Sequence, residues 1–569
     1  MEKNGDNLIE ENCVQNGQFE GQPFLFSSKV FLDCVGEVIL CLNSTGLSWK
    51  PVDSLYDVKS TCLGRIYRSD STSEIYFSDI YATKLAGWGV IRQPAGYCFL
   101  HRDLDMYCFV VHGMQKSKAD SSLWQLVEYT FGHRDQLVCQ MLVNQINSHI
   151  DKELGRPKSL LVFVNPKSGK GIGLKIWEGV APIFSHAKVR VQVTVTEKAG
   201  HAFDMVASMT SRELNTYDGI VAVGGDGLFN EILNGLATTR FKTKSPAVPP
   251  DFVTSTEEDL SGFVSDPVEE PAVSGDGVEF SIPHDWFRLG IIPAGSTDAI
   301  VMCTTGARDP TTSALHIVLG KRIGLDIAQV VRWKATNTSK VDPLVRYTAS
   351  FVGYGFYGDV ITESEKYRWM GPKRYDVAGT QVFLRHRSYE AEVSYLDVKS
   401  EETSQQLEEC NQNEVTRSQK NHNKKREREV CRANCEICSR PCSSTTEPKW
   451  LSAKGRYLSV GAAVISCRNE RAPDGLVADA HLSDGLLHLI LIKNCPHALY
   501  LWHLTHLARK GGTPLDFKFV EHHKTPAFAF TSVGKEGVWN LDGEVLQAHK
   551  LSAQVFRGLV NLFATGPET

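Results

Sequence analysis

The chain lacks any apolar run long enough to cross a bilayer. Its most apolar stretch, residues 486–492, falls far short of the roughly twenty residues a spanning helix needs. The opening residues Met1-Glu2-Lys3-Asn4-Gly5-Asp6 carry no apolar h-region, and position 2 is not the glycine of a myristoylation signal. An excess of basic residues is also missing. The formal net charge is -5, which argues against a nucleic-acid partner. The fifteen cysteines are scattered and come without a secretory signal, so reduced thiols and a cytoplasmic location are expected. The phosphate-loop pattern G-x-x-x-x-G-K-[ST] is absent at both glycine-rich turns, and the first turn is no dinucleotide fingerprint.

The 569 residues suffice for about three or four average domains. Residues 1–25 are polar and read as disordered. Residues 26–152 read as a small β domain, with short apolar runs at 29–32, 38–42, 98–100 and 107–111. A helix closes it, with Leu137, Val138, Met141, Leu142, Ile146 and Ile150 expected on one face. Several strands closed by one helix resemble a pleckstrin-homology domain, which implies a membrane or phosphoinositide contact. The helix lacks the tryptophan usual in that fold, so a plain β domain stays open.

From Lys158 the pattern changes to alternating strands and helices. Val189, Val191, Val193 and Val195 alternate with polar residues, as in a half-buried strand. Residues 173–184 and 202–214 read as helices, and Leu228, Ile232, Leu233 and Leu236 form a helical stripe. Such a series implies a parallel sheet with its ligand at the strand C-terminal ends. The expected fold is α/β plus all-β. An α/β nucleotide lobe spans 155–322, with a solvated insertion at 242–285. A β-sandwich lobe spans 323–569, with a second insertion at 398–450, and its last segment returns to the site.

Two glycine-rich turns each follow an apolar strand. The first is Asn165-Pro166-Lys167-Ser168-Gly169-Lys170-Gly171 and the second is Gly224-Gly225-Asp226-Gly227. Glycine lets backbone N–H groups approach phosphate oxygens, and a helix starting behind the turn adds its positive end. Asp226 brings a carboxylate to the same place. A third strand ends in Pro293-Ala294-Gly295-Ser296-Thr297-Asp298. One such turn is an ordinary strand-to-helix connection; three in one sheet point to a nucleotide-dependent phosphotransferase.

These residues resemble the catalytic domain shared by diacylglycerol, sphingosine and ceramide kinases. The resemblance covers about residues 155–565 outside the insertions. It continues through Gly353-Tyr354-Gly355-Phe356-Tyr357-Gly358-Asp359, Glu363 to Arg368, and Leu541-Asp542-Gly543-Glu544. It implies transfer of the γ-phosphoryl of ATP, with Mg²⁺, to a lipid hydroxyl. Asn165, Pro166, Ser168, Gly169, Gly224, Gly225, Gly227, Gly295, Ser296 and Thr297 are then expected around the nucleotide, with Arg368, Arg374 and Asp542. Asp226 is the first choice for general base. Glu544 is the alternative, with aspartates serving Mg²⁺, and Asp484 is a further metal candidate. For Asp484-Gly485 a plain turn competes with the metal reading.

The third turn and the residues after Gly353 look like the ceramide branch of the family. Sphingosine kinases place an acidic residue where this chain has Ile361, facing a cationic amine. Ceramide carries a neutral amide, and a buried carboxylate without a cation is costly. Asp359 and Ile361 are therefore expected at the substrate, and a core role for Ile361 stays open. Ceramide must be lifted from a bilayer, so peripheral association with internal membranes is expected.

Cys431, Cys435, Cys438 and Cys442 lie within twelve residues of a polar insertion. That density suits a zinc site or a thiol function. The nearby run Lys424-Lys425-Arg426-Glu427-Arg428 reads as a solvated loop or a nuclear signal.

Overall fold

The computed structural model describes residues 26–52, 73–92, 103–242, 246–252, 279–280, 287–340, 343–397 and 449–567. Residues 1–25, the expected strand at 98–100, the basic run at 424–428 and Cys431, Cys435, Cys438 and Cys442 lie outside the described residues. The chain divides into two compact units, Met1–Met114 with Leu126–Glu153, and Gln115–Gln125 with Leu154–Thr569.

The first unit contains a seven-stranded sheet. Its strands are β1 (Phe26–Leu32), β2 (Gly36–Leu42), β3 (Gly46–Pro51), β4 (Ser73–Tyr76), β5 (Ile80–Ile91), β6 (Leu104–Lys116) and β7 (Trp124–His133), in the order β4-β3-β2-β1-β7-β6-β5. Helix α1 (Gln136–Ile150) follows, and its Asp135 cap accepts the N–H of Leu137 at 2.8 Å. The helix buries Cys139, Leu142, Val143, Ile146 and Ile150 against Val30, Leu40, Phe109 and Phe131. Leu137 is 76% exposed and Met141 37% exposed. The buried face is thus rotated from the expected one. Small Cys139 takes the inward position, while Leu137 sits at the solvated start of the helix.

The α/β half of the second unit comprises β8 (Ser159–Val164), α2 (Gly173–His186), β9 (Arg190–Val195), α3 (His201–Ser208), α4 (Ser211–Leu214), β10 (Gly219–Gly224) and α5 (Asp226–Arg240). It continues through the short pair β11 (Phe241–Lys242) and β12 (Glu279–Phe280), then β13 (Arg288–Pro293), α6 (Ala299–Thr305) and α7 (Pro310–Val318). Strands β9, β8, β10 and β13 pair in parallel, with Val221 opposite both Val162 and Gly290. The inner strands β10 and β13 are buried throughout, as parallel strands covered by helices require. Edge strand β9 behaves differently from expectation. Val191, Val193 and Val195 remain 36%, 39% and 41% exposed, because only β8 flanks it. The expected helix at 202–214 is two helices. Met209 is extended, and Thr210 with Glu213 forms a capping box that starts the second.

The remaining elements are β14 (Ile323–Lys334), β15 (Leu344–Thr348), β16 (Phe351–Gly355), α8 (Phe356–Ser364), α9 (Arg374–Arg385), β17 (Tyr389–Asp397) and β18 (Lys449–Ala463). Then come β19 (Leu487–Lys493), α10 (His497–Leu507), β20 (Val520–Thr525), β21 (Ala527–Val533), β22 (Trp539–Leu541), β23 (Glu544–Leu546) and β24 (Lys550–Leu562). This half is not all-β, since α8, α9 and α10 belong to it. Nor does it own a separate sheet. Strand β24 pairs antiparallel with β14 and β21, and parallel with β13 through Leu562 and Leu289. One hydrogen-bonded sheet therefore runs through both halves. Part of the first insertion also packs rather than floating in solvent. Phe252 is buried against Val331, Trp333 and Ala529, and Lys550 Nζ donates to its carbonyl at 2.8 Å.

Arg288 ties the edges of the α/β half together and reaches the segment after β24. It is buried on β13, donates to the carbonyls of Gly155 and Gly320, and lies over the Phe563 ring. Leu233 on α5 is 1% exposed in the main core. Leu233→Ala should cost about 3 kcal/mol, read as a lower urea midpoint for the second unit with the first unchanged.

Candidate active site

Three turns meet at the C-terminal ends of β8, β10 and β13. In the first, Asn165 Oδ1 accepts the N–H of Lys167 at 2.9 Å, and Gly169 and Gly171 take φ of 59° and 76°. A Cβ on Gly169 would lie 2.6 Å from the carbonyl oxygen of Ala294 in the third turn. One on Gly295 would lie 2.5 Å from the Cα of Gly225 in the second. A side chain at either position would force the turns apart. Ser168 is buried, and its Oγ would stand 3.2 Å from a Cβ on Gly224. Outward from this contact, Lys167, Gly169, Gly227 and Thr297 face solvent, and nothing within 4 Å would meet a Cβ on Gly227. The result is an open cradle of backbone at the start of α5.

Asp226 is the first residue of α5, and its carboxylate is turned onto α6. Its oxygens accept the N–H groups of Ala299 at 2.9 Å and Ile300 at 3.0 Å. Burial pushes its pKa up to about 6. The two N–H groups oppose that shift, while the carboxylates of Asp298 and Asp542 add to it.

Asp298 is 1% exposed and takes φ of 53°. Its oxygens accept from Gly295 N at 3.0 Å and from Arg308 Nε at 2.8 Å. Arg308 also donates to the Gly295 carbonyl at 2.6 Å and to Glu470 at 2.6 Å. Burial raises the pKa of Asp298, and the Arg308 guanidinium pulls it back. Arg308 was invisible to motif reading. The available signal was an aspartate in a tight turn directly behind an apolar strand, since a buried anion needs a cation.

A second carboxylate group stands on the other half of the unit. Asp542 and Gly543 form the turn between β22 and β23, with φ of 47° and 94°. The Asp542 carboxylate accepts from Ala349 N, Ser350 N, Ser350 Oγ and Phe351 N, at 2.5–3.2 Å. This staple holds the break between β15 and β16. Glu544 follows on β23. Its residue surface reaches solvent, yet the protein around its carboxyl raises its pKa by desolvation. Arg346 opposes that rise, and Glu231 and Asp542 reinforce it. The Oε2 atom of Glu231 is buried without a hydrogen-bond partner.

Other expected residues lie apart from the turns. Asp359 on α8 accepts from Tyr389 Oη at 2.6 Å and borders a narrow recess with Phe356, Phe383, His386, Leu458 and Tyr500. Ile361, two residues further along α8, is partly exposed rather than a core residue. Arg368 pairs with Glu365 and is 73% exposed. Arg374 bonds Glu365 at 3.3 Å and Tyr375 Oη at 2.6 Å. The Tyr375 ring also carries Arg471, whose neighbour Glu470 holds Arg308. Asp484 accepts the N–H of Leu486 at 3.0 Å and neighbours Asp326 and His481. It closes a turn on the β14–β19 side and joins none of the three glycine-rich turns.

The sequence model of the diacylglycerol kinase catalytic domain family matches residues 159–330, from the first residue of β8 through all three turns. That match, with the relatives that follow, places the chain among the lipid kinases of this type. The chain is 52% identical to a ceramide kinase of Arabidopsis thaliana, covering 95% of this chain and 96% of that one. It is 50% identical to a ceramide kinase of Oryza sativa subsp. japonica, covering 95% and 99%. A ceramide kinase of Homo sapiens is 32% identical, covering 81% and 83%. The chain belongs to the ceramide kinase family.

Arg308→Met leaves Asp298 buried without its cation and should cost about 2 kcal/mol. It should also weaken ATP binding, because the third turn loses its brace. Adding Asp298→Asn should recover most of the melting midpoint. Thermal melts and ATP titration of the single and double variants check this.

Proposed function

We propose that the chain transfers the γ-phosphoryl of ATP to the primary hydroxyl of ceramide, forming ceramide 1-phosphate. The observation that carries this is the backbone contact of three glycine-rich turns beside a buried aspartate, in a member of this family. Backbone N–H groups of Gly225 and Gly227, with that of Gly169, orient the phosphates at the positive end of α5, while the Ser168 N–H closes the first turn on the Asn165 carbonyl at 3.2 Å. Ser296 and Thr297 border the nucleotide from the third turn. Arg368 and Arg374 swing from Glu365 to the phosphate chain.

Asp226 serves as general base. A carboxylate with pKa of about 6 is mostly ionised at neutral pH yet takes a proton more readily than an ordinary one. The two N–H groups from α6 fix its direction. The donor set suits Mg²⁺, which binds proteins through one or two carboxylates plus substrate phosphate and water. Among the described residues no three His, Cys, Asp or Glu side chains form a ready-made metal cage. Glu231 and Glu544 would hold the ion, because Asp542 is already engaged by four donors. When bound, Mg²⁺ neutralises charge on the transferring phosphoryl group.

Asp359, held by the Tyr389 hydroxyl, contacts the lipid away from the reacting hydroxyl, and Ile361 accommodates the neutral amide. The first unit acts as a pleckstrin-homology-like adaptor toward membranes or phosphoinositides, supported by its seven strands and closing helix. Among the described residues no helix is long and apolar enough to cross a membrane. Peripheral attachment to internal membranes fits that. Cys431, Cys435, Cys438 and Cys442 carry a zinc or thiol role on their spacing alone.

A substrate panel in mixed micelles tests the reading, with ceramide expected to outpace sphingosine and diacylglycerol. Ile361→Asp should shift that ratio toward sphingosine. The rate should rise with pH through about 6, as Asp226 loses its proton. Asp226→Asn should lose at least ~100-fold in rate while ATP still binds, and Glu544→Gln should keep the acidic limb. A limb that disappears in Glu544→Gln instead would transfer the base role to Glu544.

A further inference from the structure

Helix α10 reads His-Ala-Leu-Tyr-Leu-Trp-His-Leu-Thr-His-Leu and contains no Asp, Glu, Lys or Arg. A surface helix ordinarily carries a charged outer face; this one does not. Its inner face is committed. Tyr500 and His503 are buried, and Tyr500 packs against Phe356 at 5.3 Å and Phe383 at 6.2 Å. Its outer side keeps Leu499, Leu501 and Trp502 41%, 50% and 57% exposed. Large apolar side chains clustered in solvent mark an interaction surface.

We propose that the outer side of α10 docks on the surface of an anionic phospholipid bilayer. Three observations select a bilayer over a protein partner. The chain from Asn494 to Lys510 has no acidic residue and ends in exposed Arg509 and Lys510, which complement anionic headgroups. Of the acidic residues beyond that end, Asp474 accepts the N–H of Gly511, and Asp479 and Asp516 share a recess with Arg509. The mixture of leucine and tryptophan with a basic end is the composition of helices that lie in a membrane interface.

The third observation is continuity with the recess. Tyr500, on the inner face of α10, lines the same narrow space as Asp359. At its other wall, His497 stacks on His386 at 3.8 Å and meets Phe383 at 5.6 Å, next to 68%-exposed Leu384. A lipid leaving the bilayer beside α10 would therefore meet the rings of Tyr500, Phe383 and Phe356, with the polar His386 and Arg387 beside Asp359. This last step rests on the proposed function; the docking surface itself does not.

The test uses the full chain and a triple variant, L499Q/L501Q/W502Q, with vesicles of phosphatidylcholine and phosphatidylserine. Binding is read by sedimentation, and activity is read separately on a short-chain ceramide dispersed in solution. The variant is expected to bind vesicles at least fivefold more weakly, with an unchanged melting midpoint and unchanged rate on the dispersed substrate. R509Q/K510Q should reduce the preference for phosphatidylserine-containing vesicles over phosphatidylcholine alone. Equal vesicle binding by wild type and triple variant would overturn the proposal. So would a wild type that dimerises without vesicles through the same three side chains. If the wild type fails to phosphorylate the dispersed ceramide, the functional reading falls, while the vesicle comparison still decides the docking surface.

Discussion

The site depends on one carboxylate facing inward. Asp226 begins α5, and its oxygens hold the first N–H groups of α6. That contact locks the turn after β10 to the turn after β13. The first turn then seats against Ala294 only because Gly169 has no side chain. Remove the carboxylate and two helix starts lose their common anchor. The same burial that makes the anchor rigid also lifts its pKa to about 6. Anchoring and the raised pKa are thus two consequences of one desolvated group.

A second constraint comes from the far end of the chain. Strand β24 completes the parallel sheet at β13 while pairing with β14 and β21. The three glycine-rich turns and the helices that flank the Asp359 recess are therefore attached to one hydrogen-bonded framework. Asp542 adds a local fixing point, since its four accepted hydrogen bonds hold residues 349–351 beside the β22–β23 turn. Glu544 is carried to the site by that staple rather than by its own contacts.

Much of this was legible in the sequence. Glycines behind apolar strands announced the turns, because close backbone approach has few other solutions. The strand-helix alternation announced the parallel sheet. What stayed hidden was set by distant residues. Arg308 follows no motif, and only the buried charge of Asp298 requires it. The four donors on Asp542 are backbone and serine groups nearly two hundred positions away, so its anchoring role had no local signal. The break between β15 and β16 has the same origin. The face of α1 was misjudged because Cys139 outcompeted larger residues for space beneath the sheet, and the exposure of β9 followed from its edge position.

The central claim is that the three turns form a single phosphate cradle steered by Asp226. A crystal structure with a non-hydrolysable ATP analogue and Mg²⁺ tests it most directly. The account predicts phosphate oxygens within hydrogen-bond distance of the N–H groups of Gly225 and Gly227, with Asp226 still bonded to Ala299 and Ile300. Phosphates bound away from these turns, or an Asp226 carboxylate released from α6 to ligate the metal, would contradict it.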